Sequence, residues 1–409
     1  KPSRGVGVDV SPMMAAKAAE RHPELDIRVQ DAHQPDLDGP FDCIILSDLV
    51  NELWDVQEVL EGLHALCTPQ TRIIMNFFSH LWAKPLELAQ RLGWARPRLE
   101  QNWLTVHDAG NLLSLAGFEP IRAWDDFLCP VPVPLLADWA NRYLAKVAPF
   151  RWLDLTHFLL ARPAPGPRGE EKTVSVVVAA RNEEGNVPDI FRRVPQMGAG
   201  TELIVVEGGS SDDTWGAVER TMADYPELAP QLLRQPGKGK GDAVRTGFEA
   251  ATGDVLMILD ADLTVPPEDL PRFYDALMDG HGEFINGVRL VYPMQSQAMR
   301  LANLVGNKFF SAAFSWLLGQ PIKDTLCGTK VLTRDDYRRI ADNRSYFGDF
   351  DPFGDFDLLF GAAKRNLKIV DMPIRYRDRL YGDTNIQRWR HGMILLRMVA
   401  FAARRIKFI

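Results

Sequence analysis

The chain has 409 residues, of which 46% are hydrophobic and 25% are charged, so a globular protein of two domains is expected. Its formal net charge of −7 gives no support for general nucleic-acid binding. The four cysteines are scattered without a Cys-x-x-Cys pair, which argues against structural zinc and for a reducing compartment. No run reaches the roughly 18–20 apolar residues of a membrane-spanning helix.

Composition along the chain predicts its organisation. Residues 163–172 are rich in proline and glycine and lack apolar periodicity, which predicts a linker. The linker separates a first domain, residues 1–162, from a second domain, residues 173–388. Residues 389–409 are predicted to form a basic C-terminal helix. Because the chain starts with Lys1 and runs directly into a strand, we expect it to be part of a longer protein.

The first domain alternates strands with helices, which predicts a parallel sheet covered by helices on both faces. Strands are predicted at residues 5–10, 26–30, 41–46, 72–78, 118–123 and 156–162, and helices at 12–21, 55–67 and 107–116. Polar residues follow the first three strands, namely Asp9, then Asp31 with Ala32, then Ser47 with Asp48.

This pattern of acids at successive strand ends resembles the pattern in class I methyltransferases, which bind S-adenosylmethionine. The resemblance implies that Asp9 binds the ribose hydroxyls, a role that suits a carboxylate because it can accept two hydrogen bonds from a diol. It also implies that Asp31 and Ala32 face the adenine and that Ser47 lines the site. The family's first strand and glycine-rich loop would precede Lys1, so the expected sheet is Rossmann-like but lacks its first strand. Solvated turns at the ends of an ordinary sheet are the alternative.

In the second domain, three aliphatic strands end in polar residues. These strands are predicted at residues 173–180, 202–207 and 255–259. Ligands in an open α/β sheet bind beyond the carboxyl ends of the strands, so three such ends in order predict one crevice. The loop at residues 237–243 contains Lys240 and offers backbone N–H groups and lysines to a phosphate.

Asp260 and Asp262 are the expected centre of this crevice. Residues i and i+2 of an extended segment point the same way, and neighbouring carboxylates suit Mg²⁺ or Mn²⁺ that is shared with substrate phosphates. A polar strand end that caps the next helix is the alternative explanation.

In this order and spacing, the residues resemble glycosyltransferase family 2 with its GT-A nucleotide-sugar fold, and in particular polyprenyl-phosphate sugar transferases of the dolichyl-phosphate mannose synthase type. The resemblance implies a nucleotide-sugar donor, with Asp260 and Asp262 at its diphosphate and a metal ion. The first nucleotide-binding segment and the base- or ribose-contacting acid match Ala180, Arg181, Glu183 and Glu207.

The acceptor half carries further matches. Asp324 and Lys330 bound a segment that resembles the family's acceptor loop. Asp355 and Asp357 lie where a family carboxylate faces the transferred sugar, although the family usually has Glu at the second position. Positive side chains are expected to offset the repulsion between two anionic substrates. The candidates are Arg289, Arg300, Arg377 and Arg379. A solvated surface face is the alternative for Arg377 and Arg379.

The acceptor decides the chemistry. A lipid phosphate has a second pKa of about 6 and is already ionised near neutral pH, so it needs no general base. A saccharide hydroxyl acceptor needs one. The resemblance implies an inverting single displacement onto a polyprenyl phosphate. The alternatives are transfer to a saccharide hydroxyl, a methyltransferase with an accessory nucleotide-sugar-binding domain, and a scaffold without enzymatic activity.

Two stretches are candidates for contact with a membrane surface, residues 299–318 and 389–409. In the second stretch Arg390, Arg397 and Arg404 are seven residues apart and share one helical face, opposite apolar side chains. Such a helix suits the headgroup layer, and packing on the catalytic domain is the alternative. We therefore expect a cytoplasmic protein that is peripheral at the inner face of the membrane.

Overall fold

The structure is a computed structural model that describes residues 3–94, 101–131, 133–289, 291, 301–343, 355–377, 379, 381 and 388–408. The chain divides into two compact units, Lys1–Ala164 and Pro165–Lys407. No helix or strand forms between Pro163 and Val174, so the proline- and glycine-rich stretch contains this division. The mixed α/β class predicted from the sequence is confirmed.

The first unit alternates strands and helices along the chain. Its strands are β1 (Val6–Asp9), β2 (Asp26–Val29), β3 (Cys43–Leu46), β4 (Arg72–Phe78), β5 (Phe118–Asp126) and β6 (Thr156–Pro163). Its helices are α1 (Pro12–Arg21), α2 (Val56–Gly62), α3 (Ala83–Arg91), α4 (Val106–Leu115) and α5 (Leu136–Tyr143). Side-chain caps fix several helix starts: Ser11 accepts from the Met14 amide, and Thr105 forms a capping box with Asp108.

The strands of the first unit form two sheets, whereas the sequence predicted one parallel sheet. β1 pairs in parallel with β2, and the second sheet has the order β3-β4-β6-β5. In this sheet β6 runs antiparallel to both neighbours. The connection from β5 to β6 begins and ends at the same end of the strands, since Asp126, the last residue of β5, lies opposite Thr156, the first residue of β6. Val8 on β1 and Ile45 on β3 are exposed, on strands that each have one paired neighbour among the described residues.

The second unit is built on one sheet. Its strands are β7 (Val174–Ala180), β8 (Thr201–Glu207), β9 (Gln231–Arg234), β10 (Val255–Asp260), β11 (Phe284–Val288), β12 (Lys330–Thr333) and β13 (Ile369–Pro373). Its helices are α6 (Val187–Arg193), α7 (Thr214–Met222), α8 (Lys240–Ala250), α9 (Leu270–Met278), α10 (Leu301–Leu318), α11 (Arg334–Ala341), α12 (Asp355–Lys364) and α13 (Arg388–Ala402).

The seven strands of this sheet lie in the order β13-β11-β12-β10-β7-β8-β9, and only β12 runs antiparallel to its neighbours. The register aligns the carboxyl ends of the central strands, since Asp260 pairs with Ala179 and Ala180 pairs with Glu207. The polar residues that follow β7, β8 and β10 therefore meet at one edge of the sheet, as the sequence predicts.

Burial of aliphatic side chains holds this edge in place. Val255–Leu259 is completely buried in the middle of the sheet, and every residue of β8 is buried. Helix α8 approaches the sheet closely at Gly247, where an added Cβ would overlap the side chain of Val177. None of the described helices is long and apolar enough to span a membrane.

A buried carboxyl group lies beside the end of β5 in the first unit. Asp154 is 1% exposed, and neither of its carboxylate oxygens accepts a hydrogen bond from a described residue. Burial raises the pKa of Asp154 to about 7, the carboxylates of Asp125 and Asp126 act in the same direction, and Lys146 opposes them. A buried carboxyl group without partners is expected to stay protonated near neutral pH.

This raised pKa predicts how the stability of the first unit depends on pH. In the unfolded chain Asp154 has a pKa of about 3.9, so the folded state binds its proton more tightly between about pH 4 and pH 7. The contribution of Asp154 to the free energy of unfolding therefore falls as the pH rises through that window, by up to about 4 kcal/mol. Asp154→Asn is expected to be markedly more stable than the wild type at pH 8 and similar to it only near pH 4 and below.

Calorimetric unfolding of the full chain at several pH values measures this difference. Asp138→Asn, which changes an exposed carboxylate on α5, is the matched control and should leave the pH dependence unchanged. A wild-type profile that Asp154→Asn does not flatten would contradict the assignment of a raised pKa to Asp154.

Candidate active site

The site centres on the two aspartates at the end of β10. Their side chains are 25% (Asp260) and 14% (Asp262) exposed, so both border solvent while remaining largely enclosed. The backbone turns at Leu263, whose φ of 52° lies in the left-handed region. Thr264 then donates to Oδ1 of Asp262 from its amide at 3.1 Å and from its hydroxyl at 2.8 Å. These two bonds fix the orientation of the Asp262 carboxylate.

Lys240, the first residue of α8, pairs with the first aspartate. Its Nζ donates to Oδ1 of Asp260 at 2.6 Å. Burial would raise the pKa of Asp260, but the charges of Lys240, Arg289 and Lys330 hold it below its usual range. Gly328 presses its backbone against the same pair, since a Cβ added there would overlap Lys240 Nζ and both carboxylate oxygens of Asp260.

Arg379 connects the second aspartate with the loop after β7. Its guanidinium donates to Oδ2 of Asp262 at 2.7 Å and to Oε1 of Glu183 at 3.3 Å. Glu183 is 8% exposed, and Asn186 donates to its other oxygen at 2.7 Å. Burial raises the pKa of Glu183, and the attraction of Arg379 opposes that effect.

The loops after β7 and β8 are tied to each other. Asn182 adopts a φ of 58°, and its side-chain Oδ1 accepts from the backbone amide of Ser211 at 2.7 Å. The backbone amide of Asn182 donates to Ser210 Oγ at 3.0 Å. Glu207 accepts from the Ser210 amide and is buried. Among the predicted nucleotide-binding residues, Glu207 therefore shapes the loop, whereas Arg181 is exposed beside it.

The acceptor-half residues are held by a buried ion pair. Arg289 donates to Asp324 through Nε at 2.7 Å and through Nη2 at 2.9 Å, and its guanidinium lies 5.2 Å from the ring centroid of Tyr376. Burial would raise the pKa of Asp324, but Arg289 holds it below its usual range. Lys330 is completely buried and donates to the carbonyl of Cys327, so it acts on the crevice through its charge and its loop.

The structure separates other predicted residues from the aspartate pair. Arg377 donates its amide to the Thr264 carbonyl at 2.9 Å, but its side chain lines a groove of about 440 Å³. We call this the arginine groove, which is lined by Arg193, Pro266, Glu268, Asp269, Arg272, Arg375 and Arg377. Asp357 lies 3.7 Å from Arg245 and lines a cavity of about 120 Å³ between α8, α11 and α12. Asp355 begins α12, and Arg300 is outside the described residues.

The predicted cofactor residues of the first unit lie at strand ends in two different sheets. Asp9 ends β1 and accepts from the Ser11 amide at 2.8 Å. Asp31, with Ala32 after it, follows β2 and accepts from the His33 amide at 2.9 Å, and this bond lowers its pKa. Ser47 follows β3 in the other sheet. These positions stay predictions as a binding site.

Sequence patterns assign no individual role to three residues of the site, although Gly328 lies in the segment that resembles an acceptor loop and Tyr376 lies among the arginines at 375–379. Thr264, Gly328 and Tyr376 contact the aspartates or their partners from separate parts of the chain. Only Thr264 carries a local signal, because a hydroxyl two residues after an aspartate is typical of an Asx turn.

Comparison with known protein families gives two matches. Residues 175–341 match Glycosyl transferase family 2, and residues 2–75 match a family described as Methyltransferase domain. Each match agrees, for its own segment of the chain, with the resemblance that the sequence motifs carry.

Individual relatives align with part of the chain. Glycosyltransferase AglJ of Haloferax volcanii is 29% identical over 224 residues, which are 54% of this chain and 69% of that protein. The dolichyl-phosphate hexose transferase of the same organism is 28% identical over 54% of this chain and 89% of its own length. The dolichol-phosphate mannosyltransferase of Pyrococcus furiosus is 36% identical over 109 residues, which are 26% of this chain and only 30% of that protein.

A solved structure, glucosyl-3-phosphoglycerate synthase from Mycobacterium tuberculosis, aligns with 57% of this chain and 80% of its own at 20% identity. The TM-score of this alignment is 0.42.

The close approach of Gly328 predicts the effect of enlarging it. Gly328→Ala is expected to lower the free energy of unfolding of the second unit by about 1–3 kcal/mol, because the added methyl group displaces Lys240 and Asp260. Gly306→Ala on α10 is the control, since nothing lies within 4 Å of its added Cβ and alanine favours a helix. Urea unfolding measures both, and equal effects would contradict the described packing at Gly328.

Proposed function

Because residues 175–341 carry a family 2 glycosyltransferase domain, we propose that the second unit transfers a sugar from a nucleotide-sugar donor to a polyprenyl phosphate, using one divalent metal ion. The observation that carries the proposal is the pair of carboxylates at the end of β10 with Lys240 and Arg379 in direct contact. Such a site presents oxygen ligands to a metal and positive side chains to phosphates. The names of the relatives, which include polyprenyl-phosphate transferases, support the acceptor class.

The donor set fits Mg²⁺ or Mn²⁺. Both ions prefer carboxylate oxygens, and Mg²⁺ is usually bound through one or two carboxylates together with substrate phosphates and water. Asp260, at the end of β10, and Asp262, in the turn that follows it, each offer such oxygens. No group of three acidic, His or Cys side chains in the described part of the chain could hold a metal ion, so the remaining ligands would come from the donor and water. When bound, the ion neutralises charge that develops on the leaving diphosphate.

The donor nucleotide is proposed to lie against the loops after β7 and β8. Ala180, Arg181, Glu183 and Glu207 belong to these strand ends, and Lys240 opens α8 beside them. Buried carboxylates at such an edge suit ribose hydroxyls and base N–H groups. Lys240 and Arg379 are placed to exchange a carboxylate for a phosphate oxygen.

The acceptor is proposed to attack as an ionised phosphate. Its oxygen forms the new bond to the anomeric carbon while the bond to the donor diphosphate breaks, so one displacement inverts the configuration and no proton has to be removed. Arg289, fixed by Asp324, supplies positive charge on this side, and Arg300 and Arg377 are further candidates. Asp355 and Asp357 remain candidates for residues that face the sugar. A saccharide hydroxyl acceptor, which needs a general base, is the alternative.

A second proposal concerns the first unit. We propose that it binds S-adenosylmethionine through Asp9, Asp31, Ala32 and Ser47, on the basis of the methyltransferase match at residues 2–75. The strand-end positions of these residues support it, whereas their distribution over two sheets gives no single crevice among the described residues.

Contact with a membrane surface is proposed for α13. The helix packs on α10 and buries Leu395, Met398 and Ala402, so part of the packing alternative applies. Its other face exposes Met393, Leu396 and Arg397, and Arg404 in the following turn is also exposed. A face that combines basic and apolar side chains suits an anionic headgroup layer. On this basis we propose that the protein is peripheral, at the cytoplasmic face of a membrane.

Removal of one metal-binding carboxylate tests the transfer reaction. Asp262→Asn is expected to lower sugar transfer to undecaprenyl phosphate by at least about 100-fold, because the charge on the leaving diphosphate loses its compensation. Transfer is measured with radiolabelled UDP-, GDP- and dTDP-sugars in the presence of Mn²⁺. Glu249→Gln, an exposed change on α8, is the control. Full turnover by Asp262→Asn would remove Asp262 from the metal site.

The membrane proposal is tested by charge removal from α13. Arg397→Gln combined with Arg404→Gln is expected to weaken co-sedimentation with anionic liposomes, since each basic residue near the surface contributes about 1 kcal/mol. Arg338→Gln with Arg339→Gln on α11 removes the same charge from exposed positions elsewhere. Equal pelleting of the two double variants would count against α13 as the contact surface.

A further inference from the structure

The carboxylates proposed to hold the metal ion are already occupied by side-chain cations. Lys240, at the start of α8, donates a hydrogen bond to Asp260. Arg379 bridges two carboxylates, because Asp262 and Glu183 both accept from its guanidinium. Arg379 is 26% exposed in this position and is therefore largely withdrawn from water. Two carboxylates that share one guanidinium form a strong, geometrically specific contact.

The contact of Arg379 involves the oxygen that a metal ion would need. Oδ1 of Asp262 already accepts two hydrogen bonds from Thr264, so Oδ2 is the oxygen that a metal ion would use. Arg379 donates to that Oδ2 at 2.7 Å. A metal ion and a guanidinium on one oxygen atom would stand within a few ångströms of each other, where two positive charges repel strongly. Arg379 and the metal ion therefore compete for Asp262.

Two neighbouring contacts position Arg379. The Arg377 amide donates to the Thr264 carbonyl at 2.9 Å, which anchors the backbone to the turn that carries Asp262. The ring of Tyr381 lies directly on Gly185, where an added Cβ would come within 2.5 Å of it. Gly185 belongs to the loop after β7, which is proposed to bind the donor nucleotide. A donor that enters this loop therefore meets Arg379 and Tyr381 together.

We propose that Arg379 keeps a free divalent ion off Asp262 and releases the carboxylate when the donor diphosphate binds its guanidinium. The site then accepts the metal ion together with the nucleotide diphosphate, and binds the ion alone poorly. A phosphate group replaces the carboxylates well, since it offers a guanidinium the same paired oxygen geometry and more negative charge. This inference rests on the proposed function, because it assigns a further role to a residue of the same site.

Metal binding without any substrate tests the inference. Mn²⁺ is titrated into the full chain, and free Mn²⁺ is measured by electron paramagnetic resonance. Arg379→Gln is expected to bind Mn²⁺ about tenfold more tightly than the wild type, equivalent to about 1.4 kcal/mol. Arg375→Gln is the matched control: it removes the same charge four residues away, from an exposed side chain in the arginine groove, and should change the affinity less than twofold.

A second variant identifies the carboxylate that is released. In the double variant Asp262→Asn with Arg379→Gln, the gain in Mn²⁺ affinity should disappear. Addition of GDP or UDP should tighten Mn²⁺ binding in the wild type more than in Arg379→Gln, since only the wild type has a guanidinium to displace.

The outcomes separate this inference from the proposed function. If the wild type binds Mn²⁺ with a nucleotide but Arg379→Gln binds the ion alone no more tightly, competition by Arg379 is wrong while the metal site stands. Equal tightening in Arg375→Gln and Arg379→Gln would show a general charge effect and would also overturn it. If neither protein binds Mn²⁺ even with GDP or UDP, the proposed metal site fails and the inference fails with it.

Discussion

Two negative charges placed two residues apart, Asp260 at the end of a buried strand and Asp262 in the turn after it, are the constraint on which the second unit depends. Asp260 and Asp262 lie at the end of β10, whose preceding residues are completely buried. Neither carboxylate is left without positive charge: Lys240 contacts the first and Arg379 the second. Each partner comes from another element of the fold, so the charge balance of the site also ties α8 and the segment after β13 to β10. The same arrangement suits a reaction between two anionic substrates.

The donor side of the site could be predicted because its signals are local. Aliphatic runs mark β7, β8 and β10, and the residue types after them are read directly from the sequence. One general rule, that parallel strands present their carboxyl ends at one edge, then brings these ends together. The register agrees, since Asp260 lies opposite Ala179 and Ala180 opposite Glu207. No long-range information is needed for this part of the site.

Contacts between distant parts of the chain could not be predicted in this way. Arg379 and Glu183 are 196 residues apart, and nothing local to either residue indicates that they meet. Lys330 ends the segment that resembles an acceptor loop, and nothing local in the sequence indicates that the fold buries it completely. In the first unit the helix-strand alternation was correct, while the separation of β1 and β2 from the other strands follows from pairing partners, which alternation does not specify.

The antiparallel direction of β12 affects how residues at the ligand edge are found from the sequence of a mixed sheet. In a parallel strand the residues after it reach the ligand edge, but in β12 that edge is reached by the residues before it, which include Gly328 against Asp260. A search for polar residues downstream of every strand therefore misses this loop. Aligning the loop that enters such a reversed strand, together with its small residue, would recover distant homologues whose downstream residues have diverged.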